Sequence, residues 1–214
     1  MAGEKASSLA QYCAMRGQSM LRFDYSGHGQ SDGDFLAGTI GQWARDALAA
    51  IDQLTTGPLV LVGSSMGGWI ALLCAIARPG RLVGFVGVAA APDFTDALMW
   101  DAMTPGEQQT IMRDGVLYVH SEYGDPTPVT RNLIEDGRRH FLLGSAIRLN
   151  CPVRLLHGQR DADVPWELAL RIAERVEGQD VKITLIKDGD HRLSRPDDLA
   201  LLARTVGLLL DRAV

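Results

Sequence analysis

The sequence feature that most constrains the fold is an apolar run, Leu59–Val62, that leads directly into Gly-Ser-Ser-Met-Gly at residues 63–67. A short apolar run bounded by glycine is typical of a buried strand in a parallel sheet. Residues 69–77 are apolar throughout and end before Pro79, which predicts a buried helix. Strand, tight turn and helix are the context in which Gly-x-Ser-x-Gly indicates a nucleophile, here Ser65.

The residue types around Ser65 fit a sharp turn. Such a turn holds the serine in a strained backbone conformation with its hydroxyl exposed. Side chains two residues before and after it would collide, so we expect Gly63 and Gly67 to be required, and Gly68 to let the helix approach the sheet. Ser65 then lies at a helix N-terminus, where free N–H groups favour a developing negative charge.

Composition excludes several classes of function. The 214 residues suffice for one domain with a sizeable core, and a net charge of −5 without a basic run argues against nucleic acid as the main partner. No apolar run approaches the length of a membrane span, and the N-terminus has no signal-peptide pattern, so we predict a cytoplasmic location.

The cysteines and glycines indicate no cofactor. Cys13, Cys74 and Cys151 lie in apolar contexts without metal-ligand spacing, which predicts buried free thiols in a reducing compartment. The glycine-rich loop at residues 24–33 lacks the third glycine of a dinucleotide fingerprint, because Asp32 stands there. The sequence therefore predicts no metal and no organic cofactor.

Helical and strand periodicities alternate along the chain. They predict helices at residues 4–16, after a Thr39–Gln42 capping box, after Pro165 and from about residue 194 onward. They predict further strands at residues 20–23, 82–88, 153–156 and 181–186. This order predicts an α/β domain with a mostly parallel sheet and helices on both faces.

Residues 93–150 interrupt the alternation. They contain helix starts at residues 104–107 and at Thr127-Pro128, a turn at residues 124–126, and five scattered aromatic residues, Phe94, Trp100, Tyr118, Tyr123 and Phe141. We predict a helical cap insertion here, over the C-terminal edge of the sheet, within a single domain of residues 1–214. The aromatic residues either line a substrate pocket or only pack the insertion against the core, and packing is the commoner role for any one of them.

Three polar residues follow three of the predicted strands, in the chain order Ser65, Asp161, His191. Ligand chemistry in open α/β sheets gathers at the carboxyl ends of the strands. A serine hydroxyl is a weak nucleophile, so His191 would take its proton as general base and Asp161 would orient the imidazole. Nucleophile, acid and base in this order are typical of one class of hydrolase.

Other acids and histidines have weaker claims to these roles. Asp163 lies two residues beyond Asp161 and is the nearer rival, whereas Asp190 adjoins His191 and its side chain would diverge from it. A structural hydrogen bond is the expected role of His157, at the end of its strand. Surface, pocket-lining or supporting roles are expected for the remaining histidines, His28, His120 and His140.

The whole chain resembles the α/β-hydrolase superfamily. The residues that carry the resemblance are Gly63–Trp69, His157–Pro165 and Asp190-His191. It further resembles bacterial relatives in the branch that contains the mitochondrial mycophenolic-acid acyl-glucuronide esterase, also described as a palmitoyl-protein thioesterase. The closer signals are at residues 22–27, 75–79, 150–158 and 190–192. The resemblance implies a triad of Ser65, Asp161 and His191 that hydrolyses ester or thioester bonds in medium-sized acyl substrates.

The resemblance also raises a question about the oxyanion hole. Related hydrolases have further strands before the first helix, and a loop after them supplies one of two donors. The chain begins inside what resembles that loop, at residues 1–6, while the other donor, the backbone N–H of Met66, is present. Two hypotheses follow: the natural start lies upstream, or the chain is a shortened form of weak activity. Without those strands we expect an unpaired sheet edge.

Three functions are compatible with these observations. The first is a serine esterase or thioesterase that uses an acyl-enzyme and acts on a small acyl ester or thioester. The second is an oligopeptidase-like hydrolase, because the pattern at residues 157–165 also occurs in oligopeptidases, although these usually carry a large additional domain. The third is a catalytically weak binding protein that retains the fold.

Overall fold

Helices and strands alternate along the chain, as the periodicities predict. A computed structural model describes residues 3–120 and 126–212. In chain order the elements are α1 (Glu4–Met15), α2 (Ile40–Leu54), β1 (Leu59–Ser64), α3 (Met66–Ala77), β2 (Leu82–Val88), α4 (Pro105–Asp114), β3 (Val116–Val119), β4 (Thr127–Thr130), α5 (Arg131–Gly137), β5 (Val153–Gly158), α6 (Glu167–Arg175), β6 (Val181–Ile186) and α7 (Pro196–Leu210). The strands predicted at residues 82–88 and 181–186 are confirmed to the residue.

The main sheet is parallel and has the strand order β1-β2-β5-β6. Val86 of β2 pairs with Val62 of β1 on one side and with Arg154 of β5 on the other. Because all four strands run in one direction, their C-terminal ends share one edge of the sheet. The segments that contain Ser65, Asp161 and His191 therefore leave the sheet at the same edge.

Helices cover the sheet on both faces, as predicted. Since side chains alternate along a strand, Phe85 and Val86 of β2 belong to opposite faces. Phe85 lies in the larger apolar cluster, which includes Trp43 of α2 and Ile172 of α6. Val86 lies in a second cluster with residues of α1 and α7, among them Leu9.

Local sequence signals fix several helix ends. Gly17 has φ of 65°, and the next amide donates to the Cys13 carbonyl oxygen at 2.9 Å, which satisfies the end of α1 as predicted. Thr39 caps α2 by accepting from the Gln42 amide at 3.2 Å. The capping box predicted there is only half formed, because the Gln42 side-chain oxygen accepts from Arg45 instead of from the Thr39 backbone N–H.

The strand predicted at residues 20–23 is wrong. The segment is extended but unpaired, and Met20 and Leu21 are 38% and 39% exposed. An apolar alternation yields a strand only where a neighbouring strand offers backbone partners. Within the described ranges no strand pairs with the outer edge of β1, where Val62 is 38% exposed.

The segment between β2 and β5 combines helices with a hairpin. The predicted start of α4 is confirmed, since Thr104 and Glu107 form a reciprocal capping box. The helix start predicted at Thr127-Pro128 is wrong: these residues belong to β4, which pairs antiparallel with β3, and α5 begins only after Thr130 caps it. Tyr123 and the first two residues of the turn predicted at 124–126 lie outside the described residues.

The cysteines and the lengths of the helices complete the description of the fold. All three cysteines are free and buried, as predicted. In residues 3–120 and 126–212, every helix is too short or too polar to cross a membrane.

Candidate active site

The turn between β1 and α3 holds Ser65 in an unusual backbone conformation. Its φ of 53° and ψ of −125° are strained for a residue with a side chain. The turn is held against the end of β2: the Ser65 amide donates to the Val88 carbonyl at 3.0 Å, and the Ser65 carbonyl accepts from the Ala91 amide at 3.2 Å. These two hydrogen bonds stabilise a backbone conformation that an isolated turn would not keep.

The glycines around Ser65 differ in their surroundings. A Cβ on Gly63 would overlap the Gly67 carbonyl and lie 2.6 Å from its carbon, and a Cβ on Gly68 would lie 2.5 Å from that of Ala90. The prediction that positions 63 and 68 require glycine is therefore confirmed. The clash predicted at Gly67 is wrong, because a Cβ there would have no neighbour within 4 Å.

This difference predicts opposite effects of alanine at the two positions. Gly63→Ala is expected to lower the free energy of unfolding by about 3 kcal/mol, because the obstructing atoms are backbone and can yield only if the turn opens. Gly67→Ala is expected to raise it by about 0.5–1 kcal/mol, because alanine favours the helix and meets open space. Urea unfolding of both variants measures the contrast, and equal destabilisation would contradict it.

The structure joins Asp161 and His191 directly. Nδ1 of His191 lies 2.8 Å from Oδ2 of Asp161, whose side chain is fully buried. Oδ1 of Asp161 accepts from the amides of Asp163 at 2.9 Å and Val164 at 2.8 Å. The loop after β5 thus wraps around the Asp161 carboxylate and presents one oxygen to the loop after β6.

Asp161 is ionised in this environment. Burial alone would raise the pKa of its carboxyl, but hydrogen bonds from His157, His191 and the Val164 amide outweigh burial and hold the pKa well below its ordinary value. An ionised carboxylate can only accept, so Nδ1 of His191 carries a proton. The lone pair of His191 is therefore on Nε2, as a general base requires.

The rival acids occupy other positions. Asp163 is exposed, and its backbone amide donates to Asp161. Asp190 is exposed, and its Oδ1 accepts from the Leu193 amide at 2.9 Å, which fixes the turn that follows His191. The direct hydrogen bond from Nδ1 of the imidazole goes to Asp161.

Ser65 lies on the same sheet edge without a formed bond to the histidine. Among hydrogen bonds between described residues, none joins the Ser65 hydroxyl to His191. Catalytic hydrogen bonds are often long before substrate binds and tighten in the complex. The structure thus brings two of the three predicted triad residues into contact and places the third at the end of β1.

Met66 is the first residue of α3, so its N–H is among those without an acceptor inside the helix. Among the described residues, the backbone hydrogen bonds of turns, loops and helix ends include none that this N–H donates. Residues 1–6 resemble part of the loop that supplies the second oxyanion donor in related hydrolases. Glu4–Ala6 belong to α1, and residues 1 and 2 lie outside the described residues.

The remaining histidines take supporting or peripheral positions. His28 packs among the rings of Tyr25, Phe35 and Trp43. His140 lies beside Asp136 in the segment between β2 and β5, and His120 is exposed.

Lys5 is a residue near the site that the sequence analysis missed. Its ammonium donates to the carbonyl of Arg192, next to His191, and links α1 to the histidine loop. Burial lowers the pKa of this lysine, partly offset by the nearby carboxylate of Asp190. The sequence signal that could have placed Lys5 on the inner face of α1 is its spacing, since it continues the i, i+4 row of the buried residues Leu9 and Cys13.

A metal would find few ligands here. Ligand atoms of Asp161, Asp163 and His191 lie within 4.8 Å of one another. The hydrogen bond between Asp161 and His191 accounts for most of this proximity. We therefore assign no metal to the cluster.

Comparisons with known proteins identify the family of this chain. The family described as Hydrolase_4, serine aminopeptidase S33, matches residues 3–132. Human palmitoyl-protein thioesterase ABHD10, mitochondrial, is 40% identical over 214 residues, which are 99% of this chain and 70% of that protein.

Two solved structures have the same fold. A hydrolase from Agrobacterium vitis S4 aligns with a TM-score of 0.95 and 40% identity over 98% of this chain and 83% of that one. Mouse alpha/beta hydrolase domain-containing protein 10 aligns with a TM-score of 0.91 and 38% identity, over 100% of this chain and 86% of that one. The chain therefore belongs to the Hydrolase_4 family of α/β-hydrolases.

Proposed function

We propose that this hydrolase cleaves carboxylic ester or thioester bonds through an acyl-enzyme on Ser65. The observation that carries the proposal is the buried Asp161 carboxylate bound to Nδ1 of His191, on the same sheet edge as the strained Ser65 turn. The similarity to the thioesterase ABHD10 over the whole chain supports the same bond types. The substrate class is a small acyl ester or thioester.

Each residue has one task in the proposed reaction. Nε2 of His191 takes the hydroxyl proton while Oγ of Ser65 attacks the carbonyl carbon. The Met66 N–H stabilises the resulting oxyanion, helped by the positive end of the α3 dipole. Asp161 stabilises the imidazolium and keeps its orientation.

Three further proton transfers complete the cycle. His191 returns its proton to the leaving alcohol or thiol, and the acyl group stays on Ser65. The same imidazole then takes a proton from water, which attacks the acyl-enzyme, and returns that proton to Oγ of Ser65 as the bond to the acyl group breaks and the carboxylic acid leaves. No step requires a metal or an organic cofactor.

We further infer that residues 93–150 form an insertion of a single domain that covers the site. Its first residue is joined to a segment near its end, because the Asp93 carboxylate accepts from the amides of Leu142 and Leu143 at 2.8 and 2.9 Å. It also contacts the helix that begins at the nucleophile. Trp69 of α3 donates to the His140 carbonyl at 3.1 Å, and its ring packs against Phe94.

The proposed function is tested by comparing three substrates on the folded 214-residue chain. We expect turnover of p-nitrophenyl butyrate and of a butyryl thioester, little hydrolysis of an aminoacyl p-nitroanilide, and one fluorophosphonate adduct on Ser65. The family description favours the anilide as the second candidate substrate, and preferential anilide cleavage would make the protein a peptidase. A folded sample with neither turnover nor adduct would favour the binding protein.

The cytoplasmic location stays a prediction. The name of the human relative places that protein in mitochondria. Fractionation of cells of the native host, with an antibody to this chain, tests the location.

A further inference from the structure

A second histidine contacts the proposed catalytic carboxylate. His157, the penultimate residue of β5, is only 1% exposed. Its Nε2 lies 3.2 Å from Oδ2 of Asp161 and 3.0 Å from the carbonyl oxygen of Val164. Since a carbonyl oxygen can only accept, Nε2 of His157 carries a proton and donates.

The Asp161 carboxylate therefore receives four hydrogen bonds. Oδ2 accepts from His157 and His191, and Oδ1 accepts from the amides of Asp163 and Val164. Each donor draws negative charge from the carboxylate and reduces its affinity for a proton. The attraction between Asp161 and the imidazolium of His191 is reduced in the same way.

We propose that His157 is a positioning residue that acts on His191 through Asp161. Its Nε2–H fixes the orientation of Oδ2 and weakens the pull of the carboxylate on the imidazolium. Loss of this donor would therefore strengthen the attraction between Asp161 and a protonated His191. This role rests on the proposed function, in which His191 is the general base.

Other charged groups also face His191. Asp163 comes within 4.8 Å from the loop after β5, Asp190 and Arg192 flank the imidazole in sequence, and the Lys5 ammonium of α1 binds the Arg192 carbonyl. These groups have their own electrostatic interactions with His191, in addition to the effect of His157. Because they are unchanged when His157 is replaced, a shift in the titration of His191 isolates the contribution of His157.

The test is an NMR titration of the His191 ring in the wild type and in His157→Gln and His157→Leu. Leucine removes the donor, so the His191 pKa is expected to rise by about one unit. Glutamine keeps an N–H donor of similar reach, so most of the wild-type value is expected to return. His120→Leu, at an exposed histidine, is the matched control and is expected to leave the value unchanged.

Activity supplies a second measurement. The base must be neutral, so kcat/KM for p-nitrophenyl butyrate rises with pH through the His191 pKa. In His157→Leu this acid limb is expected to shift to higher pH by the same amount. A folded leucine variant with lower thermal stability and an unmoved His191 titration would overturn the proposal and leave His157 a structural residue.

The wild type provides a measurement that does not depend on a variant folding. In long-range ¹H–¹⁵N spectra at neutral pH, we expect protonated Nε2 on His157 and protonated Nδ1 on His191. An unprotonated Nε2 on His157 would overturn the proposal. These spectra require no turnover, so failure of the proposed function and failure of the His157 role can be distinguished.

Discussion

Replacing Ser65 with alanine is expected to lower the turnover of p-nitrophenyl butyrate by about 10⁴-fold or more, to near the uncatalysed rate. The reason is that the proposed acyl-enzyme forms on the Ser65 hydroxyl, which alanine lacks. The fold is expected to survive, because alanine meets the same backbone restriction at φ of 53° as serine does. The measurement is steady-state kinetics on samples whose folding is confirmed by circular dichroism.

The neighbouring serine provides the matched control. Ser64 is the last residue of β1 and pairs with Val88 in the sheet, so Ser64→Ala removes one hydroxyl from the same turn. We expect turnover within a few-fold of the wild type. If Ser65→Ala retained most of the activity while Ser64→Ala lost it, the nucleophile would be Ser64. Turnover by the wild type that Ser65→Ala abolishes would also remove the binding-protein alternative.

The sequence predicted the fold best where burial is one-sided or complete. β2 was correctly bounded because Arg81 precedes a continuous apolar run, and β6 because Asp180 and Lys187 flank a run in which apolar residues alternate with Lys182 and Thr184. The helices were recognised by their 3.6-residue period. Residues 20–23 have the composition of a strand, but composition carries no information about whether a neighbouring strand supplies backbone partners.

Thr127-Pro128 shows a second limit of local signals. Threonine followed by proline is favourable at a helix start, but it also suits an edge strand, where the missing proline N–H faces away from the partner. Pairing with β3 decides between them, and the helix begins at Arg131, after the next threonine, Thr130, caps it. Tertiary pairing of this kind is invisible to a local pattern.

The sequence predicted which residue types form the candidate site and their order along the chain. It did not predict which of these side chains contact one another. Chain order favoured Asp161 over Asp163, whereas the distance to His191 Nδ1 depends on how the loop after β5 wraps its own carboxylate. The link from Lys5 to the histidine loop joins residues separated by 187 positions. Rules based on residue spacing within one helix or strand cannot predict a contact between residues so far apart in the chain.

Replacing Asp161 with asparagine is expected to lower kcat/KM for p-nitrophenyl butyrate by about 10⁴-fold, the magnitude known for this change in a serine protease. An amide nitrogen facing Nδ1 of His191 would donate to it and move the imidazole proton to Nε2, so the base would lose its lone pair. If the amide oxygen faced His191 and His157 instead, the amide nitrogen would oppose the N–H groups of Asp163 and Val164. Either orientation leaves one group unsatisfied in a fully buried position.

Asp163→Asn is the matched control for this change. It removes one carboxylate from the same loop but keeps the backbone amide that donates to Asp161. Its side chain is exposed, so we expect kcat/KM within about three-fold of the wild type. The two variants separate the acid that orients His191 from an acid that merely adds negative charge nearby. A large loss in Asp163→Asn beside a small loss in Asp161→Asn would transfer the orienting role to Asp163, and the buried four-bond carboxylate would then be structural.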